Sequence, residues 1–320
     1  MNRTLLSRTA WVLYPSAARV LRLYLTRCPI RYGKPRLLEL WFHYMSWRRE
    51  HTFTAYSSQK IRFRLNMVDT VSSHIFLCGV WESGLTDLMM ALLRPGDTFI
   101  DVGANIGYHS MLAASLIGRN GRVVAIEPAP HIRENFEHNL ALNPELAALH
   151  NISLLPYCAS DQAGSAILSA EPGGNSGETT LRELAEGAVS IPVETRTLDD
   201  MLAGLDLSHC PLVKMDIEGA EYLAVSGMEE TLARYTEISL MLEVDDRFLS
   251  DLGHSAEKLF HWFESRGYQA YTIIAPRANL TGTPLVLQCA RKAPSAPENV
   301  LFTRHPERFA KWVGQPDATT

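Results

Sequence analysis

The feature that most constrains the fold is an alternation of short apolar runs with segments of helical periodicity. Strands are predicted over "DTFIDVG", "GRVVAIEP", "ISLLPYCAS", "CPLVKMDIEG" and "EISLMLEV". Helices are predicted over "NIGYHSMLAASLIG", "HIRENFEHNLALN", "AEYLAVSGMEETLARY" and "SAEKLFHWFESRG". Because strands that alternate with helices pair side by side in one direction, this order predicts a parallel sheet with helices on both faces.

The two ends of the chain depart from this alternation. Near the C-terminus, "YQAYTII", "PLVLQC" and "NVLFT" follow one another without helices, which predicts antiparallel pairing at that edge of the sheet. Near the N-terminus, "KIRFRLNMV" alternates apolar with polar residues and is predicted to pair as a strand with "SSHIFLCG". The predicted organisation is a basic helical extension over residues 1–60 and an α/β domain over residues 61–320.

The stretch between the third strand and "CPLVKMDIEG" is rich in Gly, Ser and Thr. It runs from Ser160 to Thr197 and is predicted as a loop or hairpin. Long loops inside compact α/β domains often carry function. Within this stretch the loop from Ala170 to Glu186, together with the segment from Ile274 to Pro284, is the expected source of an acceptor pocket.

The charge of the chain is unevenly distributed. The net charge is −5, whereas residues 1–50 hold nine Arg and one Lys against two Glu, a balance of +8. An acidic chain gives no general reason to expect a nucleic acid partner. The basic segment is interpreted either as a helical face docked on the acidic body, which is favoured, or as peripheral contact with an anionic membrane.

Cysteine usage and hydropathy indicate the compartment. The five cysteines are widely spaced and form no CxxC pair, which is typical of free thiols in a reducing compartment. No apolar run reaches the roughly 20 residues that a transmembrane helix needs. The Arg-rich start lacks the small-residue cleavage site of a secretory signal. We therefore expect a cytoplasmic protein, with peripheral membrane contact as the alternative.

The segment "FIDVGANIGYHS" joins a strand to a helix through a turn that contains Asp101, Gly103, Asn105 and Gly107. Glycines let the backbone approach a ligand closely, and the free amides of a helix N-terminus bind polar groups, so the turn predicts a nucleoside site. The spacing differs from the GxGxxG pattern of dinucleotide sites. An acid before the turn would repel a pyrophosphate but suits a cationic ligand, which favours S-adenosylmethionine over a nicotinamide dinucleotide.

Acidic residues end two further strands. Glu127 lies 20 residues after Gly107, where an acid accepts the ribose hydroxyls of a bound nucleoside. Asp161 ends the following strand and is predicted to accept from an adenine amino group. Each acid alone is typical of a helix cap or a turn. Three acids at the ends of three successive strands favour a ligand site, because ligands of open α/β sheets bind at the carboxyl ends of the strands.

A set of motifs resembles the FkbM-type methyltransferases, a branch of the class I S-adenosylmethionine-dependent enzymes. The motifs are "PGDTFIDVGANIGYHS", "VVAIEP", "CASDQAG", "VKMDIEGAE" and "ENVLFTR". The resemblance covers Gly79 to Thr303. It implies a Rossmann-like three-layer sandwich with a seven-stranded, mostly parallel sheet, and methyl transfer to a hydroxyl of a sugar, a glycan or a secondary metabolite. The residues expected to bind the cofactor are Glu82, Asp101, Gly103, Ala104, Asn105, Gly107, Tyr108, Glu127, Pro128 and Asp161.

The catalytic residues are expected in "VKMDIEGAE". Asp216 follows an apolar strand and is predicted to orient or deprotonate the acceptor hydroxyl, with Glu218 as a second polar group. Lys214 lies two residues before Asp216, so the two side chains share a face of the strand. The alternative is a simple helix start, in which Asp216 caps the helix while Glu218 and Glu221 favour its first turn.

Other interpretations stay open. A divalent metal held by Asp216, Glu243 and Asp245 is considered but not favoured, so no metal ligand is assigned. Glu82 precedes a predicted helix, and an acid that favours the helix start is the alternative to its role in cofactor binding. An N-methyltransferase, a methyltransferase-like binding protein without activity and a nicotinamide oxidoreductase are the competing functions. Neither the acceptor nor the oligomeric state follows from the sequence.

Overall fold

The protein is described by a computed structural model. It covers residues 20–26, 28, 33–45, 52–66, 69–170, 179–181, 188–274 and 285–314. The described residues form two compact units, one that ends at Ser83 and one that begins at Gly84. The boundary predicted after residue 60 falls between two strands of the first unit that pair with each other, Thr52–Tyr56 and Arg62–Asn66. The division into functional domains stays a prediction.

Among its described residues, the first unit combines three helices with a two-stranded antiparallel hairpin. Its elements are α1 (residues 20–26), α2 (Lys34–Met45), β1 (Thr52–Tyr56), β2 (Arg62–Asn66) and α3 (Thr70–Cys78). Two basic side chains tie these elements together. Arg22 of α1 donates to the carbonyl oxygens of Phe76 at 2.6 Å and of Tyr56 at 2.8 Å. The buried Lys34 donates to the carbonyl of Leu25 at 2.7 Å. Part of the basic charge near the N-terminus is therefore used inside the unit.

The prediction that "SSHIFLCG" is a strand was wrong, because these residues lie in helix α3. The Asp69 side chain caps the helix by accepting from the backbone N–H of Ser72 at 2.6 Å. Gly79, with a φ of 78°, ends it by donating to the carbonyl of Ile75. These two caps satisfy backbone groups that an apolar run of this length leaves open, and they outweigh the strand character of its β-branched residues. The partner of β2 is β1.

The second unit is built on an eight-stranded sheet. Its strand order is β12-β11-β13-β10-β9-β3-β4-β5. Along the chain these strands are β3 (Thr98–Val102), β4 (Arg122–Ile126), β5 (Ile152–Leu155), β9 (Leu212–Met215), β10 (Ser239–Val244), β11 (Gln269–Ile274), β12 (Val286–Cys289) and β13 (Glu298–Thr303). The five strands from β10 to β5 are parallel, and β13, β11 and β12 add antiparallel pairs. This arrangement confirms the predicted fold class, although β12 makes the count eight instead of seven.

Helices connect and cover this sheet. They are α4 (Ser83–Leu92), α5 (Tyr108–Ile117), α6 (Pro130–Ala141), α7 (Pro144–Ala147), α8 (Leu198–Met201), α9 (Glu221–Ser226), α10 (Glu229–Arg234), α11 (Asp246–Asp251) and α12 (Ala256–Glu264). All residues of β3 and β9 are buried, as expected for central strands that are covered on both faces. Among the described residues no single helix has the length and apolar character of a membrane span. Only α3 and α4 taken together reach them, by length and composition alone.

Two predicted elements are each divided in the structure. The strand "ISLLPYCAS" forms β5 and then β6 (Cys158–Ala159), which leaves the main sheet after Pro156 and joins β7 (Gly164–Ala170) and β8 (Val189–Arg196) in a three-stranded sheet. The helix "AEYLAVSGMEETLARY" forms α9 and α10, which are separated at Gly227. A Cβ atom on Gly227 would lie 2.1 Å from the carbonyl oxygen of Ser160, so the chain bends where two backbones meet.

Candidate active site

The Gly-rich turn between β3 and α5 has a backbone that only small or locally bonded residues adopt easily. Gly103 and Gly107 have φ values of 78° and 88°, and Asn105 has a φ of 49°. A Cβ atom on Gly103 would lie 1.9 Å from the carbonyl oxygen of Asp216, and one on Gly107 would lie 2.8 Å from the Phe136 ring. The turn is therefore packed tightly against the residues that follow β9.

A buried lysine links this turn to the candidate catalytic aspartate. Lys214 donates to the carbonyl of Gly103 at 2.8 Å, and its Nζ atom lies 3.4 Å from Oδ1 of Asp101 and 3.4 Å from Oδ2 of Asp216. Asp101 and Lys214 face each other as register partners on β3 and β9. Lys214 and Asp216 therefore lie on the same face, as predicted, and Asp101 belongs to the same group of side chains.

Asp101 is the most deeply buried carboxylate of this group. Its side chain is 0% exposed, and its second oxygen accepts from the Ser110 hydroxyl at 2.6 Å. Burial raises the pKa of Asp101, against the opposing attraction of Lys214. Burial and the nearby Lys214 both hold the pKa of His109 well below its usual value, so this imidazole is neutral. The contact of Asp101 with the cofactor stays a prediction.

Glu127 lies at the carboxyl end of β4 with both oxygens directed at backbone amides. Oε2 accepts from the N–H of Asn105 at 3.0 Å, and Oε1 accepts from the N–H of Ala129 at 3.0 Å. Burial raises its pKa from 4.5 to about 7, which the two backbone bonds oppose. Each carboxylate oxygen keeps a second lone pair, so the residue fits the predicted role as an acceptor of ribose hydroxyls.

The remaining predicted cofactor residues lie around this turn or outside it. Ala104 and Tyr108 are buried within the turn and the first turn of α5, and Pro128 follows Glu127 directly. Asp161 is exposed after β6 and accepts from the Ser160 hydroxyl at 3.2 Å. Glu82 belongs to the first unit, where it has a φ of 43°. The roles of these residues in cofactor binding stay predictions.

Three carboxylates gather where β9 and β10 end. One carboxylate oxygen from each of Asp216, Glu218 and Glu243 lies within 4.8 Å of the other two, and the three residues are half-buried. Asp245, which was considered beside Asp216 and Glu243 for a metal site that was not favoured, lies outside this group. It caps α11 and forms an ion pair with Arg247 at 2.6 Å. Such a group of oxygens can accept a proton from a hydroxyl or bind a hard cation.

Two residues near this cluster were not predicted as site residues. Glu221 was expected only as an acid of the first helical turn, yet its side chain folds back and accepts from the N–H groups of Ile217 and Gly219. Thr180 donates to the carbonyl of Glu218 at 3.2 Å, which brings the connection between β7 and β8 to the cluster. The repeated acid in "DIEGAE" is a signal for Glu221, whereas nothing local indicates Thr180.

Most of the predicted acceptor loops lie outside the described residues. Of the stretch from Ala170 to Glu186, the structure describes residues 170 and 179–181. Of the segment from Ile274 to Pro284, it describes residue 274. Thr180 is therefore the contact that supports the predicted role of the first loop.

The parallel core, its antiparallel edge and the Gly-rich turn at the carboxyl end of a central strand define the class I S-adenosylmethionine-dependent methyltransferase fold. The left-handed backbone at Gly103 and Gly107 and the acceptor oxygens of Glu127 fit a nucleoside, and the Asp101 carboxylate provides negative charge for a cationic amino-acid end. The residues thus fit this cofactor as a group.

Comparison with known proteins identifies the family. The model of the methyltransferase FkbM domain matches residues 101–270, more than half of the chain, and the chain therefore belongs to this family. Membership implies S-adenosylmethionine as the methyl donor. A second model, for protein-L-isoaspartate (D-aspartate) O-methyltransferase, matches residues 47–154.

Several curated relatives are similar over part of their length. Methyltransferase sdnD of Sordaria araneosa is 32% identical over 42% of this chain and 62% of its own. The 31-O-demethyl-FK506 methyltransferase FkbM of Streptomyces tacrolimicus is 30% identical over 43% and 62%. Hexuronic acid methyltransferase AglP of Haloferax volcanii is 26% identical over 47% and 58%. The chain thus spans less than two thirds of each relative.

Among solved structures, methyltransferase FkbM from Methylobacillus flagellatus KT is similar with a TM-score of 0.41 and 15% identity. The match covers 72% of this chain and 52% of that one.

Proposed function

We propose that the protein transfers the methyl group of S-adenosylmethionine to a hydroxyl of a sugar, a glycan or a secondary metabolite. The observation that carries this proposal is the direct contact between the Gly-rich turn and the carboxylate cluster. A Cβ atom on Gly103 would lie 1.9 Å from the carbonyl oxygen of Asp216. A cofactor bound on the Gly-rich turn would therefore lie beside the carboxylate cluster, which can act on the methyl acceptor.

The proposed chemistry assigns a separate task to each residue. S-adenosylmethionine supplies a methyl group on a sulfonium, so the new carbon–oxygen bond forms as the carbon–sulfur bond breaks. Asp216, whose side chain is 27% exposed, accepts the proton that the acceptor hydroxyl loses. Lys214 is buried and engaged with Asp101, Gly103 and Asp216, so it positions Asp216 instead of contacting the acceptor. Glu218 binds a neighbouring hydroxyl.

The names of two relatives support a hydroxyl acceptor. One relative is named for methylation of a hexuronic acid, and another for an O-demethyl form of a natural product. Both kinds of molecule carry several hydroxyl groups. The N-methyltransferase and the inactive binding protein remain the alternatives, and methyl turnover separates them from the proposal.

The first test is binding of S-adenosylhomocysteine, measured by titration calorimetry. We expect wild type to bind, and we expect Asp101→Ala and Glu127→Ala to lose binding while keeping the circular dichroism spectrum of a folded protein. Absence of binding to wild type would contradict the proposal at its first step. Binding without turnover of any acceptor would favour the inactive binding protein.

The second test is methyl transfer to a panel of methyl glycosides and hydroxylated natural products, with a labelled methyl donor. We expect Asp216→Asn to lower kcat by about a hundredfold, the usual contribution of a general base, with unchanged affinity for S-adenosylhomocysteine. Asp245→Asn is the matched control, because this strand-end aspartate lies outside the cluster and should leave kcat unchanged. Full turnover by Asp216→Asn would exclude Asp216 as the base.

A divalent cation is the variant of this mechanism that the carboxylate cluster permits. The oxygens of Asp216, Glu218 and Glu243 are close enough to share one ion. The same assay with EDTA decides between the two forms. Activity that survives chelation leaves Asp216 acting directly. A loss that Mg²⁺ restores would assign Asp216, Glu218 and Glu243 to holding the ion, which would supply positive charge beside the acceptor oxygen.

A further inference from the structure

The turn that carries Asp216 and Glu218 has an unfavourable backbone that needs support. Glu218 has a φ of 54° and Gly219 a φ of 105°. A Cβ atom on Gly219 would lie 2.5 Å from the carbonyl oxygen of Phe248, so the turn is also pressed against α11. A non-glycine residue with positive φ is strained, and such conformations persist only when surrounding contacts hold them.

Glu221 provides contacts of this kind from inside the protein. It is 1% exposed, and one oxygen, Oε1, accepts from the N–H of Ile217 at 3.1 Å and of Gly219 at 3.4 Å. These two amides flank Glu218 on either side. The other oxygen, Oε2, is buried and makes no hydrogen bond to a described residue. The side chain thus reaches back to the turn, although its own backbone N–H also interacts with the carboxylate.

We propose that Glu221 is a positioning residue that holds the turn from Asp216 to Gly219 and thereby places the carboxylates of Asp216 and Glu218 for reaction with the acceptor. The inference rests on the proposed function. It goes beyond a role in helix capping, because Oε1 accepts from the amides of Ile217 and Gly219, which precede α9. Burial raises the pKa of Glu221 from 4.5 to about 7, which agrees with a carboxyl kept from water for a structural purpose.

Substitutions that change either the length or the charge of the Glu221 side chain test this inference. Glu221→Gln keeps the length of the side chain and an acceptor oxygen but loses the charge. Glu221→Asp keeps the charge but is shorter by one methylene, so its oxygen falls short of the two amides. Glu230→Gln is the matched control, because Glu230 is an exposed acid in the first turn of α10.

The first readout is amide hydrogen exchange over residues 212–226 in the presence of S-adenosylhomocysteine, which needs no acceptor. We expect Glu221→Asp to exchange at least about tenfold faster at Ile217 and Gly219, because these amides lose their acceptor. We expect Glu221→Gln and Glu230→Gln to exchange as wild type does. Equal exchange in all four proteins, or faster exchange in Glu221→Gln alone, would overturn the proposal.

The second readout is kinetic and uses the glycoside or natural product that the activity screen identifies. We expect Glu221→Asp to lower kcat about tenfold to a hundredfold, as misplaced catalytic groups do, with unchanged affinity for S-adenosylhomocysteine. Glu221→Gln should keep most of the wild-type kcat. A wild-type kcat in Glu221→Asp together with a lowered kcat in Glu221→Gln would show that the charge of the side chain matters, and it would overturn the inference. If wild type methylates nothing, the proposed function fails, and the exchange experiment still tests the contact.

Discussion

At the level of single residues, the most consequential side chain is Lys214, a cation buried between two carboxylates. Its ammonium contacts Asp101, Asp216 and the carbonyl of Gly103, and its side chain is 5% exposed. A buried carboxylate such as Asp101 is costly without a partner, because removal from water penalises the charged form. Lys214 therefore stabilises the fold and connects the two halves of the site.

Replacement of Lys214 by Met should expose this dependence. We expect Lys214→Met to lower the free energy of unfolding by about 3 kcal/mol, the usual cost of breaking a buried ion pair. Protonation of Asp101 limits the loss, since its pKa is already raised by burial. The double variant with Asp101→Asn should recover part of the stability in urea unfolding. A Lys214→Met protein as stable as wild type would contradict the assigned role.

The raised pKa of Glu127 predicts a pH dependence of cofactor binding. Burial raises this pKa to about 7, and ribose hydroxyls bond more strongly to the ionised carboxylate than to the protonated acid. Binding of S-adenosylhomocysteine should therefore release a proton below about pH 7, and affinity should fall by up to roughly tenfold for each further pH unit. The dependence should vanish in Glu127→Gln. Calorimetry in buffers of different ionisation enthalpy measures both effects, and an affinity that rises at acidic pH would refute the assignment.

At the level of elements, the site depends on two turns, one after β3 and one after β9. Their backbones are in contact because Gly103 has no side chain. We expect Gly103→Ala to abolish binding of S-adenosylhomocysteine and to cost about 3 kcal/mol or more of stability, because its Cβ atom would meet the carbonyl of Asp216. Gly204→Ala is the matched control, with the same φ of 78° but nothing within 4 Å of its Cβ atom. It should cost only about 1 kcal/mol for the backbone conformation.

Chemical denaturation and calorimetry on these two variants decide the point. Equal losses of stability in Gly103→Ala and Gly204→Ala would mean that backbone conformation alone matters. Such a result would remove the contact between the two turns from the description of the site.

The elements differ in how well local sequence predicts them. The strands of the parallel core follow from short continuous apolar runs, and α12 follows from its amphipathic pattern. Helix α5 is buried on nearly all sides and follows from its length and from Gly118, which ends it. Helix α3 was predicted as a strand, since its apolar residues show no amphipathic pattern and its caps, Asp69 and Gly79, decide the conformation. The break between α9 and α10 depends on the carbonyl of Ser160, which local sequence does not reveal.

At the level of the whole molecule, charge is separated between the N-terminal segment and the rest. Two of the basic residues, Arg22 and Lys34, are used in contacts within the first unit. For the alternative interpretation, peripheral contact with an anionic membrane, the arginines before them, Arg3, Arg8 and Arg19, are the residues to test. Lipid surfaces attract basic residues by about 1 kcal/mol each.

A vesicle experiment tests this interpretation without disturbing the contacts of Arg22 and Lys34. We expect the full chain to sediment with vesicles that contain anionic lipid, and we expect replacement of Arg3, Arg8 and Arg19 by Gln to reduce this binding about tenfold or more. Added salt should weaken binding of the wild type in the same way. Equal sedimentation of the two proteins would favour the alternative that the basic segment docks on the protein itself.

Local sequence patterns were sufficient to predict the fold class, the parallel strands along the chain and the acids at their carboxyl ends. Hydrophobic runs and turn residues act over a few neighbouring positions, so local sequence reveals them. The contacts within the site required long-range packing. Lys214 reaches the carbonyl of Gly103 across 111 positions, and Glu218 instead of Asp245 joins Asp216 and Glu243. Which carboxylates meet depends on strand order and on the direction of each side chain, and these are set only when the sheet assembles.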